Sequence, residues 1–289
     1  MPIFSFRLLA CTAILLSLTV YGHADERDEA SMRVLTYNIR YANPGDGDDI
    51  WDNRRDRVIE VIRQADLVGL QEVTPEQFQD VRAGTPGMTW YGVGRDDGQE
   101  AGEHAPVGFR TDRFELLDKG SFWLSPTPEK AGSMGWDAAL PRLASWVKLT
   151  DRQSGQPLLV VSTHFDHRGA EARRESAALI REQLKKLAGD TQRVILVGDL
   201  NARPDSPPLN TLLGSGAGLE LTDSRTVSQT PPTGPSGTFN GFREIRPEMQ
   251  IDYVTFAGPL QVLSHQTLDP KTSAGRFASD HLPILVRLQ

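Results

Sequence analysis

Residues 194–206 read VILVGDLNARPDS. The stretch opens with four consecutive aliphatic residues, Val194, Ile195, Leu196 and Val197, the pattern of a strand covered on both faces. The run breaks at Gly198. Asp199, Asn201, Arg203 and Asp205 follow, and Pro204, Pro207 and Pro208 end regular structure. A carboxylate and an amide two residues apart at the end of a buried strand suit a site that handles a metal or a phosphate. The strand holds them and the loop exposes them. The plainer reading is a turn in which Asp199 and Asn201 only bond their own backbone. What lies at the other strand ends decides between the two.

Working outward, the same arrangement recurs. Residues 32–37, MRVLTY, predict a buried strand that ends at Asn38. Residues 66–70 predict a strand running into Gln71-Glu72. Residues 143–149 and 158–163 predict a hairpin whose second strand ends in His164-Phe165-Asp166-His167. Residues 250–256 predict a strand with Asp252 inside it, and Ser279-Asp280-His281 precedes a last strand at 283–288. Residues 107–110 and 114–117 read as paired short strands around a Thr-Asp-Arg turn. Helices are expected over 53–65, from the Thr74-Pro75 cap onward, and over 170–188, where Gly189 stops the helix. The loop at 92–106 has the composition of a flexible, solvated segment, and residues around Trp123 and Trp136 are assigned to no element. With no internal repeat and no linker, strands alternating with helices predict one α/β domain over residues 25–289 with mixed sheets.

The first 24 residues differ from the rest. Arg7 precedes an apolar run at 8–20, and Gly22-His23-Ala24 precedes Asp25-Glu26. This is the pattern of a cleaved signal peptide, residues 1–24, which predicts a secreted or periplasmic protein. The run is too short for a comfortable membrane span, so no transmembrane segment is expected in the mature chain. The one cysteine, Cys11, lies inside it. The mature chain therefore has no thiol for catalysis or for zinc ligation. Removing Arg7 takes the formal net charge from −7 to −8. Such a balance disfavours tight, sequence-independent binding to long nucleic acid, whose affinity comes from Lys and Arg at phosphates. A monomer acting on a phosphoester is expected.

The non-apolar residues thus gather at one topological position, the strand ends. Each alone has a bland reading: Asn38 as a turn former, Glu72 as a solvated strand end, Asp252 as an ion-pair partner, His281 as a packed loop histidine. Together they suit phosphoester hydrolysis with a hard divalent ion, Mg²⁺ or Mn²⁺, since the candidate ligands are oxygens. Glu72 is the natural anchor for the ion, with Asn38 and Asp280 beside it. Asp252 with His281 suits deprotonation of the attacking water. His164 suits donation to a phosphate oxygen or to the leaving group.

TYNIR with Asn38, LQEV with Glu72, STHFD with His164, GDLNARPDS with Asp199 and Asn201, IDYV with Asp252, and SDH with Asp280 and His281 occur in this order. In these motifs the chain resembles the endonuclease/exonuclease/phosphatase superfamily, from residue 33 to the C-terminus. The resemblance implies a four-layer α/β sandwich of two mixed β-sheets flanked by helices, as in deoxyribonuclease I. It implies a metal-dependent phosphoesterase that uses in-line attack by an activated water. Asn38, Glu72 and Asp280 are implied as the metal shell. Asp199 and Asn201 are implied to orient water and phosphate, and Asp252 and His281 to form the carboxylate–histidine pair. His164 is similar to a histidine of the deoxyribonuclease I and sphingomyelinase branch. By spacing, Glu103 is similar to the glutamate that orients that histidine, and Arg142 resembles a phosphate-contacting arginine of the same branch. The 5-phosphatase signature and the basic helix of abasic-site enzymes are both missing. GRDDGQEAGE, SMGWDAALPR and GTFNGF are similar to segments of a secreted bacterial subgroup. The expected substrate is a small or lipid-linked phosphoester. The alternatives are an extracellular nuclease that scavenges nucleic acid and, last, a non-catalytic binding module. Arg203 and Asp205 are expected to fix the loop by ion pairing.

Overall fold

The computed structural model describes residues 1–3, 31–215 and 219–289. Most of the expected signal peptide lies outside the described residues. The strands are β1 (Met32–Asn38), β2 (Leu67–Gln71), β3 (Met88–Tyr91), β4 (Val107–Arg110), β5 (Phe114–Trp123), β6 (Leu143–Asp151), β7 (Pro157–His164), β8 (Val194–Asp199), β9 (Thr222–Asp223), β10 (Asp252–Ala257), β11 (Val262–Thr267) and β12 (Ile284–Leu288). The helices are α1 (Trp51–Ile62), α2 (Pro75–Gly84), α3 (Ala170–Ala188) and α4 (Pro207–Leu213).

Two six-stranded sheets form, in the orders β11-β12-β1-β2-β4-β3 and β5-β6-β7-β8-β10-β9. Each is antiparallel except for one parallel pair, β1 with β2 and β7 with β8. Alternation along the strands sorts the core into three slabs. Val34, Leu67, Ile195 and Val197 face inward between the sheets. Their neighbours Leu35 and Val68 face α1 and α2 through Val58, Ile62 and Phe78. Leu196, Val161 and Leu159 face α3 and α4 through Ile180, Leu184 and Leu212. The layers are therefore helix, sheet, sheet, helix, as expected.

The helices end for local reasons. Thr74 and Gln77 make a reciprocal capping box at the start of α2, with Pro75 in the first turn. The start of α3 has no side-chain cap of its own. Asp137, from the segment unassigned by sequence, accepts from Ala172 N at 2.7 Å and closes that end. Gly189, at φ +54°, ends the helix.

Several expectations need correction. β4 and β5 are not partners: β4 pairs with β2 and β3, while β5 pairs with β6 in the other sheet. The Thr-Asp-Arg turn is thus a crossover between sheets. Arg113 anchors it beside Asp151 at 3.3 Å and Asp66 at 3.7 Å. β3 and β11 carry no clean alternation and go unread in the sequence. The loop at 92–106 is not merely solvated. Arg95 pairs with Glu103 at 2.7 Å, and Asp97 Oδ1 accepts from Gln99 N and Ala101 N. Arg203 and Asp205 form no ion pair among the described residues. That loop is held by Ser206 N and by the Tyr253 hydroxyl, which bond the carbonyls of Arg203 and Ala202.

The sheets approach closely at Gly69 of β2. A Cβ there would lie 2.1 Å from a Val197 methyl of β8 and 2.9 Å from Ser162 Oγ of β7. Beside it, Ser162 Oγ donates to Leu70 O at 3.2 Å. Gly69→Ala forces the sheets apart. A loss of about 1–3 kcal/mol is expected, read as a lower denaturant midpoint at unchanged m-value.

Candidate active site

Strand register builds the site. In the second sheet His164 of β7 lies beside Asp199 of β8, and Asp199 lies beside Asp252 of β10. Three consecutive strands thus present one row of functional groups. Asp199 Oδ2 is 3.4 Å from His164 Nε2 and 3.7 Å from His281 Nε2. Asp252 Oδ2 lies 2.9 Å from His281 Nδ1, so the carboxylate–histidine pair forms as expected. Phe239 packs edge-on against the His281 ring at 5.2 Å. Asn201 Nδ2 is 3.1 Å from His164 Nε2 and donates to Phe165 O at 3.1 Å. Asp199 Oδ1 also accepts from Asn201 N at 2.9 Å. The plain turn and the site are therefore one structure.

The first sheet supplies the other half. Asn38 Nδ2 donates to Glu72 Oε1 and to Asp199 Oδ2, both at 3.0 Å. Its Oδ1 accepts from Arg40 N at 3.0 Å. Turned over, the amide would face two carboxylates with its carbonyl. Asn38 therefore presents N–H groups to its neighbours and holds two carboxylates apart. Glu72 Oε2 accepts from Tyr41 N at 3.2 Å, and Asp280 Oδ2 lies 3.8 Å from Arg40 Nη1.

Sharp reversals of the chain aim these groups. Arg40, Glu72 and Asn201 have φ of +56°, +61° and +46°. Each costs about 1 kcal/mol or more for a residue with a Cβ. Gln77 of α2 holds the first reversal by donating to Arg40 O at 2.8 Å. Arg54 of α1, 1% exposed, holds it from beneath. Its guanidinium donates to the carbonyls of Asp49, Ile39, Arg40 and Ala278 rather than to a carboxylate.

Glu103 lines the same small cavity as His164 and Arg142. No hydrogen bond joins it to His164, so the expected orienting contact is not made; Arg95 takes its carboxylate. Arg142 is 5% exposed, lines the cleft, and has Nη2 3.0 Å from His167 Nδ1. The Nε atoms of Arg95 and Arg142 are both buried without a hydrogen-bond partner. Arg40, Arg54, Arg95 and Phe239 were not singled out by sequence. Arg40 lies inside TYNIR, Arg95 inside GRDDGQEAGE and Phe239 inside GTFNGF, so each carried a signal that could have found it, and Arg54 carried none.

All of the expected site residues except Asn38 and Asp252, which lie buried behind them, line one cavity or its small annex, with a volume of about 540 Å³ for the main cleft. Residues 35–281 match the Endonuclease/Exonuclease/phosphatase family. The chain belongs to this family. An endonuclease/exonuclease/phosphatase from Bacteroides vulgatus is 39% identical, with a TM-score of 0.84 over 90% of this chain and 98% of that one. A mannosyl-6-phosphatase from Bacteroides thetaiotaomicron is 33% identical, with a TM-score of 0.82 over 89% and 99%. A protein of Acanthamoeba polyphaga mimivirus is 24% identical over 197 residues, or 55% of this chain, and this chain spans 29% of its length. Family membership and these relatives support a phosphoester hydrolase, and the family is in general divalent-metal dependent.

The donor set of this family member fits a hard divalent cation. Glu72 and Asp280 offer carboxylate oxygens to one cleft, with only distant help from Arg40. Burial pushes Asp280 up to about 6, against the pull of His281, and the Glu72 charge adds to the rise. A second buried group, of Asp199, Asp252 and His281, has its ligand atoms within 4.8 Å of one another. There the His281 Nδ1 is already used by Asp252, which suits proton handling better than ligation.

Burial also pushes Asp199 up to about 7, and the Asp252 charge adds to that. Burial alone would lower His281, but the charges of Asp252 and Asp199 and the hydrogen bond to Asp252 hold it well above the ordinary imidazole value. His164 is held well below that value by burial and then by the charges of Arg142 and Arg95. A base must be unprotonated, so the rate should rise with pH through the raised pKa of His281. Removing the Asp252 charge lowers that pKa. For Asp252→Asn, measured as kcat/KM against pH, the acid limb moves to lower pH and the plateau drops about 10²-fold or more. A limb that stays in place assigns it to another group.

Proposed function

We propose that the protein is a divalent-metal-dependent phosphoesterase that hydrolyses a small phosphoester by in-line attack of water. The observation that carries this reading is the His164–Asp199–Asp252 row, closed by His281 and set opposite Glu72 and Asp280. His281 Nε2 takes a proton from the attacking water, and Asp252 holds the ring at Nδ1 and stabilises the cation that forms. Asp199, 3.7 Å from that Nε2, orients the water. Asn201, His164 and Arg142 face the phosphoryl oxygens, where negative charge grows. A divalent cation held by Glu72 and Asp280 would supply Lewis-acid stabilisation of that charge.

His164 is neutral in the resting site because burial, and then the charges of Arg142 and Arg95, oppose its protonation. A bound phosphoester cancels that opposition. His164 then takes up a proton from solvent as the substrate binds and passes it to the leaving alcohol as the P–O bond breaks. The likeness to a mannosyl-6-phosphatase along nearly all of both chains favours a phosphorylated sugar or polyol as the small substrate.

Purified protein with Mg²⁺ or Mn²⁺ is expected to release phosphate or nitrophenol from nitrophenyl phosphate, bis-nitrophenyl phosphate or sugar phosphates. Plasmid DNA, RNA and phospholipids complete the panel. His281→Ala and Asp199→Asn should lower the rate roughly 10²–10⁴-fold. An inert protein, or variants as fast as wild type, would overturn the reading.

We also infer export. The charged, apolar and small-residue order of residues 1–24 supports removal after Ala24. N-terminal sequencing of protein recovered from the periplasm or medium should begin at Asp25; a product retaining Met1 in the cytoplasm refutes it.

A further inference from the structure

A second cavity, of about 760 Å³, opens beside the catalytic cleft and shares Asn201 and His167 with it. None of the chemistry above uses it. One wall is the start of α3, with Arg173 and Arg174. The other is the loop after β8, with Arg203. Pro208 and Met249 contribute apolar surface. Three arginines against one acidic side chain, Glu171, make it locally cationic in a chain of net charge −7.

The arginines differ in how they are occupied. Arg174 is paired with Glu175 at 2.6 Å. Arg173 uses Nη1 on Asp166 O at 2.9 Å. The Arg203 guanidinium has no ion pair and no hydrogen bond among the described residues. Its backbone, in contrast, is rigid. Ser206 N bonds Arg203 O at 3.2 Å, Tyr253 hydroxyl bonds Ala202 O at 2.9 Å, and Leu200 N bonds Ile251 O at 2.8 Å. A fixed scaffold thus presents free positive charge at the rim of a cavity of ligand size.

Asn201 belongs to both cavities, so a phosphoryl group at Asn201 places one of its ester substituents at the mouth of the second. We propose that this cavity is the leaving-group subsite, and that it takes an organic leaving group bearing a second phosphate. This rests on the phosphoesterase reading above. Water adds to the phosphorus in the cleft and the bond to the leaving oxygen breaks. The alcohol departs with its own phosphate intact, held by Arg203 and Arg173 through charge-assisted hydrogen bonds.

The test compares nitrophenyl phosphate, hexose 6-phosphate and hexose 1,6-bisphosphate with Mg²⁺. The bisphosphate is expected to have a kcat/KM about tenfold or more above that of the 6-phosphate, carried by KM. Arg203 is exposed and unpaired, so its substitution leaves the fold alone. Arg203→Ala should shrink the ratio and Arg203→Glu should bring it to about one or below. Arg57→Ala, on α1 and outside both cavities, removes the same charge and keeps the ratio. Equal use of the two hexose phosphates, or a preference that survives Arg203→Glu, overturns the subsite while nitrophenyl phosphate cleavage still upholds the phosphoesterase reading. Failure to cleave any of the three overturns both.

Discussion

One amide group joins the two halves of this molecule. Asn38 ends a strand of the first sheet, and its two N–H bonds reach Glu72 of that sheet's rim and Asp199 of the other sheet. The half-buried carboxylate of Glu72 and the buried one of Asp199, on separate sheets, would otherwise repel each other. A neutral double donor is the side chain that lets them approach without itself adding charge. The close contact of Gly69 with Val197, and the Ser162 bond to Leu70, bring the strands near enough for that bridge to form. The catalytic row across β7, β8 and β10 then follows from ordinary sheet register.

The cleft has two electrical sides. Asp280, Asp199 and the buried Asp252 gather around His281 on one, and Arg95 and Arg142 stand with Glu103 and Glu72 around the annex lined by His164 on the other. The acid side explains why His281 keeps its proton well beyond the usual imidazole range, and burial together with the basic side explains why His164 does not. Two residues of the same type are thus held in different protonation states at neutral pH, His281 charged and His164 neutral, within one cleft.

Much of this was legible in the chain. Buried strands such as VILVGD are long apolar runs, and a polar residue stands out at their ends. Six such ends in order point to the family. What was hidden was hidden for physical reasons. β11, VLSHQT, has half-buried polar residues from sheet-edge packing and so lacks a period. β4 and β5 are adjacent in sequence, and only tertiary packing shows that they belong to different sheets. Arg54 looks like one more charge at the start of a polar helix, yet it is almost wholly buried and serves backbone carbonyls. Nothing in its neighbours announces that. Glu103 sits at the expected spacing, but spacing does not say that Arg95 will claim its carboxylate.

The left-handed backbone at Arg40, Glu72 and Asn201 has a consequence for how this protein can vary. Glycine would relax each reversal and remove the side chain that the site needs. Selection for a firmer fold and selection for chemistry therefore pull these three positions in opposite directions. The scaffold around them, from the buried Arg54 to the Gln77 cap, acts as ballast against that drift. A descendant that lost its substrate would be expected to shed the tension first at these bends, long before its sheets showed any change.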